Sequence, residues 1–295
     1  MKRVLVTGGG GQLGVALARH RWPNGWEPVA VRRDELDLCD PAAIAAAIAG
    51  RAWGAVVNAG AYTAVDRAEA EPVAAWRVNA LAPAALAAAC RDADIPLVQV
   101  STDYVFPGDK DGAWLVDDAT APLGVYGASK LGGELAVRSG WRRHAIVRTA
   151  WVVSATGTNF VRTMLRLAAE RGSVRVVADQ RGSPTAAADL AAALATVAVR
   201  MAEDPASPTG IFHFANAGAT HWAEFAETIF AMAAARGGPK ARVERISTAD
   251  YPTPARRPVN SLLDTGSIAA AYDVRPRPWR DALADILDEL LETPK

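Results

Sequence analysis

A glycine-rich segment, TGGGGQLG at residues 7–14, lies directly after the first short apolar run of the chain. Gly8, Gly11 and Gly14 are spaced three apart, and Gly9, Gly11 and Gly14 also satisfy the pattern G-x-G-x-x-G, so the sequence leaves two registers open. Glycine permits a sharp turn and a close approach of the backbone to a ligand, and the N–H groups that begin a helix hold an anion. Between a first strand and a first helix, the segment therefore predicts a turn that binds the diphosphate of a dinucleotide. An ordinary strand-to-helix turn is the alternative.

Short apolar runs alternate with alanine-rich stretches through the first half of the chain. The runs are VLV (4–6), EPVAVR (27–32), GAVVNA (54–59), PLVQVS (96–101) and HAIVRT (144–149). Strands that alternate with helices imply right-handed βαβ units, which predict an α/β fold with a doubly wound parallel sheet of the Rossmann type. Beyond Trp151 the pattern loosens, which predicts a smaller, interleaved C-terminal substrate lobe. The expected division is a dinucleotide-binding domain at 1–152, with later segments crossing back to it, and a mainly substrate-binding lobe at 153–295.

Charge and cysteine usage narrow the classes of function. Lys and Arg number 32, as do Asp and Glu, so the formal charge is zero and no global field favours nucleic acid or a membrane surface. Cys39 and Cys90 lack CxxC spacing, and the four histidines share no ligand spacing, so we expect no disulfide framework and no metal site. No uninterrupted apolar stretch reaches the roughly 18 residues of a membrane span, and the apolar segment after Met1 is too short for a signal peptide. We therefore expect a cytoplasmic protein.

Two arginines, Arg32 and Arg33, follow the second predicted strand, where a site that prefers NAD carries an acid. Guanidinium groups suit a 2′-phosphate, so the pair predicts NADPH as the cofactor, with NADH as the alternative. The alternative is that both arginines are solvated at the end of the strand and have no role in cofactor binding. Because ligands bind at the carboxyl ends of parallel strands, further cofactor contacts are expected near the first three strands. The predicted residues are Gln12, Leu13, Asp37, Leu38, Ala59, Gly60 and Ala61.

Tyr126 and Lys130 stand four residues apart in the segment VYGASKLGGE, so they share a face if the segment is helical. Ser101 and Thr102 end a predicted strand at the carboxyl edge of the sheet. Together these groups form a constellation for reducing a carbonyl: the tyrosine donates a proton to the carbonyl oxygen, the threonine polarises that oxygen, and the lysine lowers the tyrosine pKa and binds the nicotinamide ribose. The spacing alone also occurs on exposed helices, so the hypothesis depends on the glycine turn and the strand end as well.

The glycine turn, the Tyr126–Lys130 pair and the order of strands and helices resemble the extended short-chain dehydrogenase/reductase superfamily. Six segments resemble, more specifically, the dTDP-4-dehydrorhamnose reductase family. They are NAGAYTAVDRAEAEP (58–72), STDYVFPG (101–108), LGVYGASKLGGE (123–134), RTAWV (148–152), NFVRTMLRLA (159–168) and YPTPARRPVNS (251–261). The resemblance implies NADPH-dependent reduction of the 4-keto group of dTDP-4-dehydro-β-L-rhamnose to dTDP-β-L-rhamnose, the last step of dTDP-L-rhamnose synthesis. Its catalytic residues would be Thr102, Tyr126 and Lys130.

The resemblance also implies substrate contacts, and it places Trp151 beside the deoxyhexose ring. An aromatic face packs well on a sugar, although core packing explains this residue equally well. Arg256, beside Arg257 in a proline-rich loop, would meet the substrate diphosphate, with a basic surface loop as the alternative. The full set of predicted substrate-binding residues is Thr102, Asp103, Val105, Phe106, Trp151 and Arg256.

Two other functions compete with this hypothesis. One is another nucleotide-sugar reductase or an epimerase of the superfamily, and the other is a non-catalytic dinucleotide-binding regulatory subunit. Some members of the reductase family dimerise around magnesium held by glutamates, but the matching positions here are Ala16 and Ala188, which offer no oxygen ligand. We therefore expect a monomer or weak dimer that is not bridged by metal, with a dTDP-sugar as its partner.

Overall fold

The structure is a computed structural model that describes residues 1–291. Its central sheet has six parallel strands in the order β2-β1-β3-β4-β5-β10. These strands are β1 (Lys2–Thr7), β2 (Trp26–Ala30), β3 (Trp53–Asn58), β4 (Leu97–Thr102), β5 (His144–Thr149) and β10 (Gly210–His213). The order reverses between β1 and β3, which is the switch point where ligands bind in open α/β sheets. The predicted doubly wound parallel sheet is confirmed.

Helices cover both faces of the sheet and build a second region beside it. They are α1 (Gln12–Arg19), α2 (Pro41–Ala49), α3 (Val65–Ala70), α4 (Pro72–Trp76), α5 (Ala82–Asp92), α6 (Val125–Gly140), α7 (Phe160–Glu170), α8 (Ala187–Glu203), α9 (Trp222–Ala234), α10 (Gly266–Tyr272) and α11 (Trp279–Leu291). A π-helical turn, Arg77–Leu81, joins α4 to α5. Local sequence explains some of these boundaries, as in α2, where the Asp40 side chain accepts from the N–H groups of Ala42 and Ala43 and a proline follows it.

Successive side chains of each strand point to opposite faces, and each face has its own core. In β1, Val4 and Val6 pack with α1, α8 and α10, while Leu5 packs with α2 and α5. The late elements α8, β10 and α10 therefore return to the central sheet from the second half of the chain. That arrangement agrees with the interleaving expected from the sequence, and the division at residue 152 stays a prediction.

A third core lies away from the sheet, between α7, α9 and α11. Phe225 and Trp279 are buried there, packed edge to face with ring centroids 5.4 Å apart. Six short strands form two-stranded sheets around this core: β6 (Val152–Val153) with β9 (Thr185–Ala186), β7 (Ser173–Val177) with β12 (Arg242–Ile246), and β8 (Arg181–Gly182) with β11 (Thr220–His221). The pair β6–β9 joins this region to the end of β5, so the two cores meet beside the carboxyl edge of the sheet.

The helical run Pro72–Asp92 is the one stretch within residues 1–291 that has the length and hydropathy of a membrane span. It is interrupted by Arg77 and Asn79, and it packs against α2 and α6. Helices in the core of globular domains satisfy the same criteria, so this run is weak evidence for a membrane segment.

Candidate active site

A cavity of about 680 Å³ opens at the carboxyl ends of β1, β3, β4 and β5. It brings together most of the residues predicted from the sequence. Those that line it are Gly8, Gly11, Gln12, Leu13, Arg33, Asp37, Leu38, Ala59, Gly60, Ala61, Thr102, Asp103, Tyr126, Lys130 and Trp151. The glycine turn and the Tyr126–Lys130 pair thus face one space, although more than a hundred residues separate them.

Four predicted residues do not line this cavity: Arg32, Val105, Phe106 and Arg256. Arg32 is exposed and lies 3.8 Å from the carboxylate of Asp34. Val105 and Phe106 are 0% and 1% exposed, because the chain turns inward after β4 and stacks Phe106 on Trp114. The side chains of this pair therefore belong to a small core beneath the site.

The basic loop places its two arginines differently. Arg256 is exposed, whereas the half-buried Arg257 donates to Asp66 Oδ2 at 2.8 Å. The Nη1 atom of Arg257 is buried and has no hydrogen-bond partner within residues 1–291. If an arginine of this loop meets an anionic group of the substrate, the geometry favours Arg257 over Arg256.

Backbone crowding explains why the turn needs glycine at two positions. Gly8 has φ +72°, in the left-handed region that favours glycine, and a Cβ there would lie 2.7 Å from Gly60 Cα. A Cβ on Gly14 would lie 2.2 Å from the carbonyl oxygen of Gly8. Gly11 precedes α1, and its N–H bonds back to Gly8 at 2.9 Å. Glycine is therefore required at Gly8 and Gly14. A Cβ on Gly9 would also be crowded, at 3.0 Å from the backbone of Ala30, whereas one on Gly11 would make an ordinary contact of 3.4 Å, so both registers agree with the backbone.

A chain of buried polar side chains fixes the strand ends below the cavity. Asn58 accepts from the Thr7 hydroxyl at 2.5 Å and donates to Gln99 at 2.7 Å. Gln99 in turn donates to the carbonyl of Val100 at 2.8 Å. Because every bond joins neighbouring strands or continues along one, β1, β3 and β4 are held in a common register at the edge where the site lies.

The start of α6 is set by a distant carboxylate. Glu69 Oε1 accepts from the backbone N–H of Val125 at 2.8 Å, and a Cβ on Gly124 would lie 2.5 Å from that same oxygen. This contact caps the helix one residue before Tyr126. Glu69 therefore positions the helix that carries the tyrosine and the lysine, a role that its sequence surroundings did not indicate.

The three proposed catalytic side chains approach the cavity from two elements. Thr102 ends β4, where its hydroxyl donates to Asp103 Oδ1 at 3.0 Å and accepts from the N–H of Tyr104 at 3.2 Å. Tyr126 lies on the first turn of α6, with its ring edge to face against Tyr104 at 5.4 Å. Burial raises the pKa of Tyr126 to about 12, against the opposing effect of the Thr102 hydroxyl. The phenol is therefore protonated at neutral pH and able to donate.

Lys130 is 4% exposed, and its Nζ donates to the carbonyl oxygen of Val100 at 2.7 Å. Burial lowers the pKa of this lysine to about 8, and the carboxylate of Glu134 opposes that shift. The sequence predicted that Lys130 would lower the pKa of Tyr126, and in this geometry that pKa is raised instead. The reason is that burial dominates at the phenol while the ammonium is bonded to a backbone carbonyl.

The pKa of Lys130 makes stability depend on pH. The folded value is about 8 and the ordinary value 10.5, so between them the unfolded chain binds more protons and the free energy of unfolding rises with pH. We expect the free energy of unfolding of wild type, relative to Lys130→Met, to increase by about 2–3 kcal/mol from pH 7 to pH 10. Urea denaturation of both proteins across this range measures it, with Lys240→Met, at an exposed lysine, as the control. The expectation would be contradicted if the difference in free energy of unfolding between wild type and Lys130→Met stayed constant from pH 7 to pH 10.

Beneath Lys130, a buried ion pair joins α6 to β5. Glu134 accepts from Arg148 through two bonds of 2.9 and 2.7 Å, and both side chains are at most 2% exposed. Ser101 donates to the same carboxylate at 2.5 Å. Burial and the Arg148 cation lower the pKa of the adjacent His213 to about 3, so this histidine is neutral. The Glu134–Arg148 pair fixes α6, which carries Tyr126, against β5, which leads to the lining residue Trp151.

The π-helical turn supplies a second brace. Its Asn79 accepts from the N–H of Tyr62 at 2.9 Å and donates to the Tyr62 carbonyl and the Ser129 hydroxyl at 3.1 and 3.0 Å. Ser129 then donates to the carbonyl of Tyr126 at 2.8 Å. Single π-helical turns are frequent at functional sites, and here the turn connects the loop after β3 to α6.

Two of the lining residues that were missed by sequence reasoning are Tyr104 and Thr149. Each lies in a segment already singled out, at the end of β4 or β5, so position at a strand end was the available signal. Thr149 Oγ1 is buried and has no hydrogen-bond partner in the described part of the chain. A ligand in the cavity is a natural partner for it, because a buried polar group left unpaired costs free energy.

Comparison with known proteins places the chain in a family. A family model described as the RmlD substrate binding domain matches residues 1–292. The chain belongs to this family. It is similar to a dTDP-4-dehydrorhamnose reductase of Sinorhizobium fredii, with 41% identity over 290 residues that cover 98% of each chain. The resemblance detected in the sequence motifs is thereby confirmed.

Solved structures agree in fold over nearly the whole chain. A dTDP-4-dehydrorhamnose reductase from Clostridium acetobutylicum superposes with a TM-score of 0.91 at 32% identity, covering 98% of this chain and 99% of its own. One from Bacillus anthracis, solved in complex with NADP, gives 0.90 at 33% identity and covers 98% of this chain and 100% of its own. The family and the fold therefore rest on independent comparisons.

Proposed function

We propose that this protein is an oxidoreductase that uses NADPH to reduce the 4-keto group of dTDP-4-dehydro-β-L-rhamnose, giving dTDP-β-L-rhamnose as the last step of dTDP-L-rhamnose biosynthesis. The proposal is supported by one observation above all: Thr102, Tyr126 and Lys130 line the same cavity as the glycine turn. In addition, a relative that is similar over nearly its whole length is named dTDP-4-dehydrorhamnose reductase.

The cavity fits a dinucleotide. Gly10, Gly11 and Gln12 line the cavity at the start of α1, where the N–H groups that begin a helix can hold a diphosphate. Leu38 packs on Gly60 and lines the same wall, where we propose that the adenine lies. Arg33 lies at the wall near β2, where a 2′-phosphate would be recognised. When bound, NADPH supplies the hydride for the reaction.

The chain's own residues supply the proton and hold the carbonyl. We assign Tyr126 as the proton donor, since its raised pKa keeps the phenol protonated until the substrate oxygen gains negative charge. Thr102 orients and polarises that oxygen, because its hydroxyl lies at the strand end beside the tyrosine. Lys130 presents an ammonium held by the Val100 carbonyl, which we assign to the nicotinamide ribose.

Assembly and location are also proposals. We propose a cytoplasmic protein, a monomer or weak dimer that is not bridged by metal. Ala188 is an exposed residue without a ligand atom, and its neighbour Asp189 is bonded to Arg277 at 2.9 Å and to Asn216 at 2.6 Å. No group of three potential ligands among His, Cys, Asp and Glu occurs within residues 1–291.

Stoichiometry tests the function against its rivals. The protein is supplied with NADPH and with dTDP-4-dehydrorhamnose made in situ by the upstream enzymes. We expect NADPH to be consumed in a one-to-one ratio with dTDP-rhamnose, which chromatography identifies. An epimerase would convert the sugar without net loss of NADPH, and a regulatory subunit would convert nothing; either result would overturn the proposal.

Cofactor choice is expected to depend on Arg33 more than on Arg32. Both side chains are exposed, but Arg33 lines the cavity, whereas Arg32 lies outside it, 3.8 Å from the carboxylate of Asp34. Replacing Arg33 by alanine should weaken NADPH binding by about 1.5–3 kcal/mol, the value of a charged hydrogen bond, and leave NADH binding nearly unchanged. Fluorescence titration with both cofactors measures this, and Arg32→Ala is the matched control. Equal losses for NADPH and NADH would show that Arg33 only supports the loop.

A further inference from the structure

Trp151, which lines the cavity, has an unusual backbone. Its φ is +49°, in the left-handed region that non-glycine residues rarely occupy. The strand β5 ends two residues earlier, and the carbonyl of Trp151 accepts from the N–H of Thr185 at 3.0 Å. Strain of this kind persists only where the surroundings hold it in place, so the contacts of the indole need an explanation.

The indole is held by Gly182, in the short strand β8, and by Trp222, the first residue of α9. The ring of Trp222 stacks on it with centroids 3.6 Å apart and planes inclined by 13°. Gly182 lies against its nitrogen side, where a Cβ would come within 2.4 Å of Cε2. Gly182 and Thr220 are register partners in the antiparallel pair β8–β11, and Trp222 follows β11 directly.

Trp222 also contacts the aromatic core between α7, α9 and α11. Trp222 contacts Phe160 at 4.6 Å between ring centroids, and Phe160 stacks on Phe225 at 5.5 Å. Phe225 packs on Trp279 within the core between α7, α9 and α11. A continuous series of aromatic contacts thus extends from that core to the cavity and ends at the indole of Trp151.

We propose that Trp222 and Gly182 are positioning residues that set the affinity for the sugar of the nucleotide-sugar, through the orientation of Trp151. This inference rests on the proposed function, since it needs a sugar against the indole. Neither Trp222 nor Gly182 lines the cavity, so both act through the tryptophan rather than on the ligand. Without the stack, or with a methyl group in place of the glycine hydrogen, the indole has to move from its place beside the site.

The test compares the binding of dTDP-L-rhamnose and of dTDP by calorimetry, which does not depend on turnover. We expect Trp222→Leu and Gly182→Ala to weaken dTDP-L-rhamnose about threefold to tenfold, the value of an aromatic pair, while dTDP and NADPH bind as in wild type. Trp222→Phe, which keeps an aromatic ring, should restore binding to within about twofold of wild type. Matched controls are Gly172→Ala, where a Cβ meets nothing within 4 Å, and Trp76→Leu, at a tryptophan 42% exposed on α4.

Unchanged dTDP-L-rhamnose affinity in the two variants, or an equal loss for dTDP, would overturn the positioning role. If Trp222→Leu does not fold, the comparison of Gly182→Ala with Gly172→Ala decides alone. A wild-type protein that binds dTDP-L-rhamnose but does not reduce the keto sugar contradicts the proposed function only, and one that neither binds nor reduces contradicts both.

Discussion

Replacing Tyr126 by phenylalanine is expected to lower turnover by a factor of about 10² to 10⁴ while NADPH binds almost as tightly as before. The phenol is the one proton donor that we assign to the carbonyl oxygen, and its pKa of about 12 means that its proton is present at neutral pH. Phenylalanine keeps the edge-to-face contact with Tyr104 but has no proton to give. Single-turnover kinetics at saturating cofactor and substrate measures the chemical step.

The control for this variant is Tyr251→Phe, at a tyrosine that is 59% exposed and does not line the cavity. It should keep wild-type turnover. Turnover of the Tyr126→Phe variant within a few-fold of wild type would mean that the proton comes from another group, and the assignment of the catalytic acid would be wrong.

Breaking the buried ion pair is expected to have the largest effect on stability. Arg148→Met leaves the Glu134 carboxylate buried without its partner, which should lower the free energy of unfolding by about 3–5 kcal/mol. The double variant Arg148→Met with Glu134→Leu removes both charges and should recover most of that loss, because a buried pair and an apolar pair of similar volume are often nearly equal in stability. Urea denaturation at one pH compares all three proteins.

An exposed ion pair on α7 serves as the control for the loss of free energy of unfolding. Arg166 and Glu170 are 60% and 48% exposed and lie one turn apart on α7, so Arg166→Met should cost only about 0.3–0.5 kcal/mol. If Arg148→Met costs no more than Arg166→Met, the Glu134–Arg148 pair does not lock α6 onto β5 as we infer.

Local patterns were sufficient for the fold and for part of the site. The predicted strands at 54–59 and 144–149 lie within one residue of the observed strands, and the run at 4–6 falls inside β1. The agreement arises because apolar runs that alternate with helical stretches leave few arrangements of a sheet. The facing of Tyr126 and Lys130 likewise follows from helical spacing.

Contacts between distant segments could not be predicted. Glu134 and Arg148 are separated by a helix end and a strand, and nothing in either segment indicates that their side chains meet. The conformation of the loop after β2 determines that Arg33 rather than Arg32 lines the cavity. The inward turn that buries Phe106 depends on its stack with Trp114, and no local pattern links these two residues. Such features follow from tertiary packing, to which local propensity gives no access.

The proposed reaction delivers a hydride from NADPH to C4 of the sugar, and isotope transfer tests this step directly. The reaction is run with NADPH fully deuterated at C4 of the nicotinamide, and the dTDP-rhamnose formed is examined by NMR and mass spectrometry. We expect one deuterium in each product molecule, located at C4 of the rhamnose ring. Product that carries no deuterium, or deuterium at another carbon, would contradict it.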